Sequence, residues 1–201
     1  MTIRPMTAAD LDTVADIHMY AFKDHISSKL GKRYNKAFLG WFIKDDCIPL
    51  VATDETGKAV AYYIAAPFGY QKAMNKALLP IAIVEMIKRP WVFFNKKILN
   101  TVWVRAKIMM GLNTFVDTTK AKYPGKLIAM VGQGKGKEAK EKGMSVALMT
   151  AAHVEARKLG YEYARGTVYK TNVIAKSILE KLGYIAEPEN SSFTVVYYLK
   201  L

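Results

Sequence analysis

The chain has 201 residues, of which 51% are hydrophobic, and a formal net charge of +13. This length suits one well-buried core and is short for two, and the hydrophobic content argues against a disordered chain. The single cysteine, Cys47, excludes an intramolecular disulfide, and no apolar segment near the N-terminus has the pattern of a signal peptide. The composition therefore predicts one domain in a reducing cytoplasm.

The first third of the chain predicts two helices and a hairpin. Thr7 and Asp10 have the spacing of a capping box, and apolar residues follow them at helical intervals. A second helix is predicted over 34–43, where apolar residues fall on one face. Strands predicted over 48–53 and 58–66 flank the turn sequence D-E-T-G, which is a hairpin signal.

A basic helical insertion is predicted over about 69–125. Between residues 70 and 126 there are eleven Lys or Arg against two acidic residues. Pro80 and Pro90 are each placed to begin a helix, and the apolar stretch 77–87 is too short to span a bilayer. Such charge attracts phosphate-bearing partners such as CoA, nucleic acid or anionic lipid, and a solvated basic face is the alternative.

The last third alternates strands and helices. A buried strand is predicted over 127–131, a helix over 143–159 and a second strand over 163–169. Thr171 could cap the next helix, and an aromatic, β-branched strand over 193–199 closes the sheet. This order, with a hairpin in the middle of the chain, predicts a mixed sheet with helices on both faces.

A basic glycine loop, K-E-K-G-M-S, opens the helix of the last third. The first N–H groups of a helix lack partners, and the helix dipole favours negative charge beside them. Gly143 lets the backbone approach a ligand, while Lys140 and Lys142 add positive charge. The loop therefore predicts a diphosphate site.

The loop, the helix and the segment after it together resemble the acyl-CoA-binding half of the GNAT superfamily of N-acetyltransferases. Residues 140–145 fall where the family has Arg/Gln-x-x-Gly-x-Gly/Ala, and N-x-x-A followed by E-K-L-G-Y begins at Asn172. The opening I-R-P-M-T-A-A-D also looks like the start of the family's fold. The resemblance implies a single α/β domain over 1–201 with a mixed, mostly antiparallel central sheet flanked by helices. The helical insertion would lie between strands 3 and 4.

The resemblance also implies that acetyl-CoA is a co-substrate. Backbone N–H groups of the central strand would contact the pantetheine arm and polarise the thioester carbonyl, and the glycine loop would hold the diphosphate. Asn172 would contact the pantetheine or fix a splayed strand, unless it only bonds its own backbone at a helix start. The implied acetyl-CoA-binding residues are Met130, Val131, Gly132, Lys140, Lys142, Gly143, Met144, Ser145 and Asn172.

The sequence departs from the family pattern at several positions. Lys140 replaces Arg or Gln, Glu141 replaces a small residue, and Ser145 replaces the second glycine. The loop looks longer than the family's because residues 132–137, G-Q-G-K-G-K, are expected between strand and helix. Leu179 stands where the family often has a tyrosine acid.

Candidates for acid–base chemistry are few. Residues 126–133 contain no carboxylate that could act as a base on the central strand. His25 follows the first helix, on the acceptor side of the family's fold. The ordinary pKa of histidine suits a general base. Asp24, beside it, is a second candidate base. Both could equally be solvated loop residues. Tyr169 could replace the missing acid, or it could simply pack in the sheet.

No metal site is predicted. The three histidines and Cys47 lack metal-ligand spacing, and Cys47 has no His-and-acid pattern of a thiol nucleophile. His18 and His153 fall inside predicted helices, where a structural role is expected.

The function expected from these features is CoA-dependent transfer of an acetyl group to a primary amine, by direct attack in a ternary complex. The acceptor amine is not specified by the sequence. An inactive or weakly active CoA-binding sensor or scaffold is the alternative, favoured by the missing tyrosine and the altered loop. A nucleic-acid or peripheral membrane binder ranks last, because no aromatic-basic RNA motif or groove-reading helix accompanies the basic insertion.

The insertion is also expected to cover the acceptor site and to mediate self-association as a homodimer. Besides its basic face, the insertion carries more apolar side chains than short surface helices usually have. Trp91 and Trp103 are the largest of them.

Overall fold

A computed structural model of the protein describes residues 1–91, 103, 123–139, 141, 143–187 and 193–201. The strands are β1 (Thr2–Pro5), β2 (Ile48–Thr53), β3 (Ala59–Pro67), β4 (Leu127–Lys135), β5 (Tyr163–Tyr169), β6 (Ile185–Ala186) and β7 (Thr194–Lys200). The helices are α1 (Leu11–Ala21), α2 (Ile26–Lys29), α3 (Lys32–Gly40), α4 (Gln71–Ile87), α5 (Met144–Lys158) and α6 (Val173–Lys181). A 3-10 turn, Ala8–Asp10, precedes α1.

The strands form one seven-stranded sheet in the order β1-β2-β3-β4-β5-β7-β6. Every neighbouring pair is antiparallel except β4 and β5, which are parallel. The predicted fold class, a mixed and mostly antiparallel sheet flanked by helices, is confirmed. The predicted hairpin is the β2–β3 pair, joined by the turn at Gly57.

Each face of the sheet has its own hydrophobic core. Along β3, alternate side chains point to opposite faces, so Tyr62 and Ile64 enter the core under α1, α3 and α4. Tyr63 enters the other core, which α5 covers with Leu148 and Met149. Because both of its faces are covered, β3 is buried along almost its whole length. It pairs with β4, the strand that lines the candidate site.

The parallel pair β4–β5 is short. Only Leu127–Ala129 pairs with Tyr163–Arg165. Farther along, β4 stays paired with β3 up to Lys135, whereas β5 stays paired with β7 up to Tyr169. The two strands therefore part after three residue pairs, and no strand of the described structure covers the β5-facing edge of β4 beyond Ala129.

Two predictions for the glycine-rich and capping segments were wrong. Residues 132–135 belong to β4 and are not a loop, because Gly134 pairs with Tyr62 of β3. A Cβ atom placed on Gly134 would lie 2.5 Å from Cε1 of Tyr62, so glycine here makes room for a ring. Helix α6 is capped by Asn172 and not by Thr171: Asn172 Oδ1 accepts a hydrogen bond from Ala175 N at 3.0 Å.

The prediction that Pro80 begins a helix was also wrong, because Pro80 lies inside α4. Packing of Met74 and Leu78 in the α1-side core offsets the helical hydrogen bond that proline cannot donate. Helix α3 begins and ends earlier than the predicted 34–43. In the described ranges, no helix combines the length and the apolar character needed to cross a bilayer.

The N-terminal entry into α1 is held by an ion pair. Arg4 donates to both carboxylate oxygens of Asp10, at 2.7 and 2.8 Å. The N–H and hydroxyl groups of Thr7 donate to the same carboxylate at 2.8 and 2.9 Å, which completes the predicted capping contact. Mainly through Arg4, this network lowers the pKa of Asp10 from 3.8 to about 2.

We expect Asp10→Asn to lower the free energy of unfolding by about 2 kcal/mol at pH 7, because the lowered pKa reflects a carboxylate stabilised only in the folded state. That contribution is complete above pH 4 and is lost as the pH falls through 2, so wild type and variant should converge in acid. Urea denaturation at several pH values measures it. Asp12→Asn, which removes an exposed carboxylate of α1, is the control; an equal loss at pH 7 contradicts the prediction.

Candidate active site

The central feature of the site is a β-bulge in β4. Gly132 pairs with Ile64 and Met130 pairs with Ala65, which leaves Val131 as an extra residue. Consequently Val131 and Gly132 face the same side of the sheet, whereas Met130 and Gln133 face the other. The bulge lies immediately beyond the point where β4 and β5 part, so the strand is kinked and free on one edge at the same place.

The opening between the parted strands forms a cleft of about 170 Å³, called here the splay cleft. It is bounded by β4, β5, α5 and α6. Its lining is mostly apolar, with a few polar groups. The lining residues are Met130, Gln133, Lys135, Ser145, Met149, Val168, Asn172, Ile174, Ala175, Ile178 and Leu179.

Gln133 is a residue of the candidate site that the sequence did not reveal, because it falls in a segment that looked like a loop. Its carboxamide nitrogen is buried in the lining of the splay cleft and has no hydrogen-bond partner in the described part of the chain. A buried donor without an acceptor is costly unless a ligand supplies the acceptor. Gln133 Nε2 is therefore a donor available to an oxygen atom bound in the cleft.

The start of α5 borders the same cleft. Gly143 is the N-cap with φ of +83°, a left-handed conformation that suits glycine, and a Cβ atom placed on it would meet no other group within 4 Å. Met144 anchors the first turn in the core, and Ser145 lines the cleft. The first N–H groups of α5 have no acceptor within the helix. Lys140 and Lys142 lie outside the described residues, so their predicted contacts with the diphosphate stay predictions.

The far wall of the splay cleft is α6. Asn172 lines the cleft while its Oδ1 caps the helix, so the bonding to its own backbone that the sequence left open is present. Leu179 is buried and packs over Gly166, where a Cβ atom would meet both of its methyl groups at 3.4 Å. Among the described residues that line the cleft, Ser145 carries the only hydroxyl group.

Tyr169 does not line the splay cleft. It is the last residue of β5, and its side chain is 55% exposed. The preceding residue, Val168, points into the cleft, so Tyr169 projects from the opposite face of the sheet. Its role as an acid stays a prediction.

On the opposite face of β4, a cavity of about 280 Å³ lies beneath α1, α2, α3 and α4; it is called here the ring cavity. Val131 and Gly132 of the bulge form part of its wall. Half of its lining residues carry rings. These residues are His18, Phe22, His25, Tyr34, Phe38, Tyr62 and Tyr70, and the others away from the bulge are Ser27, Ile64, Gln71, Met74 and Asn75.

His25 thus lies at the cavity on the predicted acceptor side, as the N-cap residue of α2. The first turns of α4, which open the predicted insertion, contribute Tyr70, Gln71, Met74 and Asn75 to the same cavity. Trp91 and Trp103, by contrast, are 62% and 56% exposed and do not line it. The start of the insertion borders the cavity, and most of its remainder lies outside the described residues.

His18, expected to be structural, lies in the wall of the ring cavity. Its Nδ1 is 2.5 Å from Tyr62 Oη and its Nε2 is 3.1 Å from Ser27 Oγ. Burial, with a smaller contribution from His25, lowers the pKa of His18 to about 4. Burial also raises the pKa of Tyr62. At neutral pH the pair is therefore a neutral imidazole beside a protonated phenol.

A third depression of the surface, about 370 Å³, lies elsewhere, between α1 and the end of β4. It is open to solvent, and its lysines, Lys58 and Lys137, are matched by Asp16 and Glu138. It does not include the bulge. Nowhere in the described ranges do three His, Cys, Asp or Glu side chains meet as metal ligands.

No protein-family model matches the chain, and no curated protein matches it in sequence. Solved structures match it over its whole length. The phosphinothricin acetyltransferase of Sinorhizobium meliloti, a GNAT superfamily protein in complex with AcCoA, is 14% identical with a TM-score of 0.61, covering 100% of this chain and 88% of its own. The chain has the GNAT fold.

Two further GNAT-fold structures show how widely this architecture is shared. The ribosomal-protein-alanine N-acetyltransferase of Brucella melitensis is 14% identical, with a TM-score of 0.61 and full coverage of both chains. The polyamine N-acetyltransferase of Drosophila melanogaster is also 14% identical with a TM-score of 0.61, covering 100% of this chain and 99% of its own. At such identities the likeness concerns the fold, and the acceptors of these proteins differ from one another.

We expect Gln133→Leu to weaken acetyl-CoA binding about fivefold while leaving thermal stability unchanged or higher. Leucine is similar in size but removes a buried donor that has no protein partner, so the folded protein loses nothing and a bound oxygen loses a hydrogen bond. Isothermal titration and a thermal melt measure the two effects. Gln71→Leu, on the ring-cavity side of β4, is the control and should leave acetyl-CoA affinity unchanged; equal effects of the two variants contradict the prediction.

Proposed function

We propose that the protein is a CoA-dependent N-acyltransferase that transfers the acetyl group of acetyl-CoA to a primary amine by direct attack in a ternary complex. The observation that carries this proposal is the meeting of two clefts at one bulge of β4. A thioester in the splay cleft and an amine in the ring cavity would reach that bulge from opposite faces. The amine nitrogen forms a bond to the acyl carbon, the carbon–sulfur bond breaks, and one proton passes from nitrogen to the departing thiolate.

The splay cleft suits the pantetheine arm. Its long apolar wall fits the methylene and methyl groups, while the uncovered edge of β4 at Met130, Val131 and Gly132 offers backbone groups to amides and to the thioester oxygen. Gln133 and Asn172 add carboxamide groups on either side. Acetyl-CoA supplies an activated acyl carbon and a thiol leaving group; the chain positions them and polarises the carbonyl.

The diphosphate would bind at the start of α5. Gly143, Met144 and Ser145 present the helix N-terminus, where N–H groups and the helix dipole favour an anion. Lys140 and Lys142 would add charge from the loop. Lys135, which lines the cleft at the end of β4, is a further cation on that side.

The amine would bind in the ring cavity, with His25 as the proposed base because it lines that cavity and lies outside the cofactor side. The named acceptors of the structural neighbours are a ribosomal-protein alanine, a polyamine and phosphinothricin. Because these differ, the neighbours support acetyl transfer and leave the acceptor to be inferred from this cavity. We also propose a cytoplasmic location. Self-association through the insertion is a further part of the proposal, because Leu79, Ile83 and Ile87 form an exposed apolar row on α4.

A second candidate function is binding of CoA without turnover, as a sensor or scaffold. Leu179 favours it, because a buried leucine at the expected tyrosine position gives the splay cleft no phenolic acid. Calorimetry that detects acetyl-CoA binding, together with no thiol release across a panel of primary amines, would select this function over catalysis.

We expect Gly143→Asp to weaken acetyl-CoA binding at least tenfold, about 1.4 kcal/mol, relative to Gly143→Asn. Aspartate and asparagine both tolerate the left-handed conformation and have nearly the same size, so their difference isolates the repulsion between a carboxylate and the diphosphate. Isothermal titration of both folded variants measures it. Equal affinities for acetyl-CoA would remove the start of α5 from the site.

Tyr169→Phe tests which group protonates the leaving thiolate. If Tyr169 is the acid, kcat falls at least tenfold while acetyl-CoA affinity stays constant. Because the side chain projects away from Val168 and the splay cleft, we expect nearly full activity, which leaves water as the proton donor. Steady-state kinetics with thiol detection separates the two outcomes.

A further inference from the structure

We propose that the ring cavity selects an amine with an aromatic or apolar body and no second charged group, and that Tyr62 Oη accepts a hydrogen bond from its amino group. This inference rests on the proposed acetyl transfer and specifies its acceptor. Three observations carry it: the charge of the lining, the hydrogen bonding of Tyr62 and the packing that fixes the Tyr62 ring.

The part of the lining that the structure describes contains no Lys, Arg, Asp or Glu. Its rings contact one another, with centroids 4.9 Å apart for His18 and Phe22, 5.5 Å for His18 and Phe38, and 5.0 Å for Phe22 and His25. A carboxylate or a second ammonium group placed there would lose hydration without gaining an ion-pair partner among these lining residues. An apolar or aromatic body, by contrast, gains from burial against these rings.

We assign the proton of the Tyr62 hydroxyl group to its hydrogen bond with His18. The phenol stays protonated because burial raises its pKa, and His18 Nδ1 lies 2.5 Å from its oxygen. In the tautomer assigned here, Nδ1 is the acceptor. His18 then carries its own proton on Nε2, from which it donates to Ser27 Oγ at 3.1 Å. The remaining lone pairs of Tyr62 Oη are therefore available to an N–H donor in the cavity.

Packing places that oxygen at the bulge. A Cβ atom on Gly132 would lie 3.8 Å from Tyr62 Oη, and one on Gly134 would collide with the Tyr62 ring at 2.5 Å. The ring is thus held against β4 by its close fit and by His18. An amine bound to Oη has its nitrogen beside Val131 and Gly132. The acyl group of acetyl-CoA would approach the same two residues from the splay cleft, on the other face of the sheet. Tyr62 contacts the substrate in this arrangement, and His18 is a positioning residue.

The selectivity is tested with matched amines that differ by one charged group, using the full chain. 2-Phenylethylamine is compared with L-phenylalanine, which adds a carboxylate, and butylamine with 1,4-diaminobutane, which adds an ammonium group. In the presence of CoA, calorimetry should show each singly charged amine binding at least tenfold more tightly than its partner. Equal or tighter binding of the doubly charged partners would overturn the inference.

Thiol release from acetyl-CoA is followed with the same amines. The expected result is a kcat/KM at least tenfold higher for the singly charged member of each pair. Selective binding without thiol release would overturn the proposed acetyl transfer and retain the cavity's selectivity, so the two failures are distinguishable.

Tyr62→Phe retains the ring and removes the oxygen. We expect kcat with 2-phenylethylamine to fall at least tenfold while acetyl-CoA affinity changes little. Thermal stability should fall as well, because His18 Nδ1 loses its buried partner. His18→Gln keeps a hydrogen-bond acceptor for Tyr62 and His18→Leu does not, so kcat should fall more in the leucine variant. Wild-type kcat in Tyr62→Phe would overturn the role of the hydroxyl, even if the His18 variants fail to fold.

Discussion

The early parting of β4 from β5 is the constraint on which the other features of this molecule depend. A parallel pair that ended in register with its neighbours would cover both edges of β4 and leave no space between the strands. Here the pairing stops at Ala129 and Arg165, and the bulge at Val131 follows immediately. Because β4 remains anchored to the buried strand β3, its free edge is held in place without a neighbour. A rigid, uncovered strand edge can be kept in a folded protein only if another molecule or solvent satisfies it.

Much of the fold could be predicted from local patterns, because these depend on neighbours in sequence. The hairpin at Gly57 and strand β5 follow from apolar runs bounded by turn residues, and α5 follows from a glycine loop before an amphipathic segment. The errors arose where tertiary packing overrides a local signal. Pro80 is kept inside α4 by the core beneath it, and Gly134 occupies a strand because Tyr62 needs the space.

The two sides of the site differed in how far the sequence revealed them. Gly143 and Asn172 were predicted from spacing within a short segment, because a motif can point to residues that are close in sequence. Gln133, His18 and Tyr62 were missed, because their importance comes from which face they occupy and from partners far along the chain; Tyr62 lies 44 residues from His18. A single histidine in a helix gives no sign in sequence that a buried phenol and Ser27 complete its hydrogen bonds.

The leucine at position 179 weighs less against catalysis than it first suggests. A thiol has an ordinary pKa of about 8.5, so a thiolate is a stable leaving group near neutral pH and needs little help from an acid. The amine nitrogen presents the greater demand, because it must be uncharged and correctly oriented before it can attack. The polar side chains of the two clefts are distributed in the same way. The described lining of the splay cleft has few hydroxyl groups, whereas the ring cavity is lined by several imidazole and phenol groups.

The bulge of β4 also has a thermodynamic consequence. Met130 and Gln133 line one cleft, Val131 and Gly132 line the other, and all four belong to one continuous backbone segment. A ligand that shifts this segment from one face necessarily changes what a ligand meets on the other. By thermodynamic linkage, if the first ligand changes the affinity of the second by some factor, the second changes the affinity of the first by the same factor. Any preferred order of arrival would therefore be a matter of rates, since the equilibrium coupling across four residues of one strand has no direction.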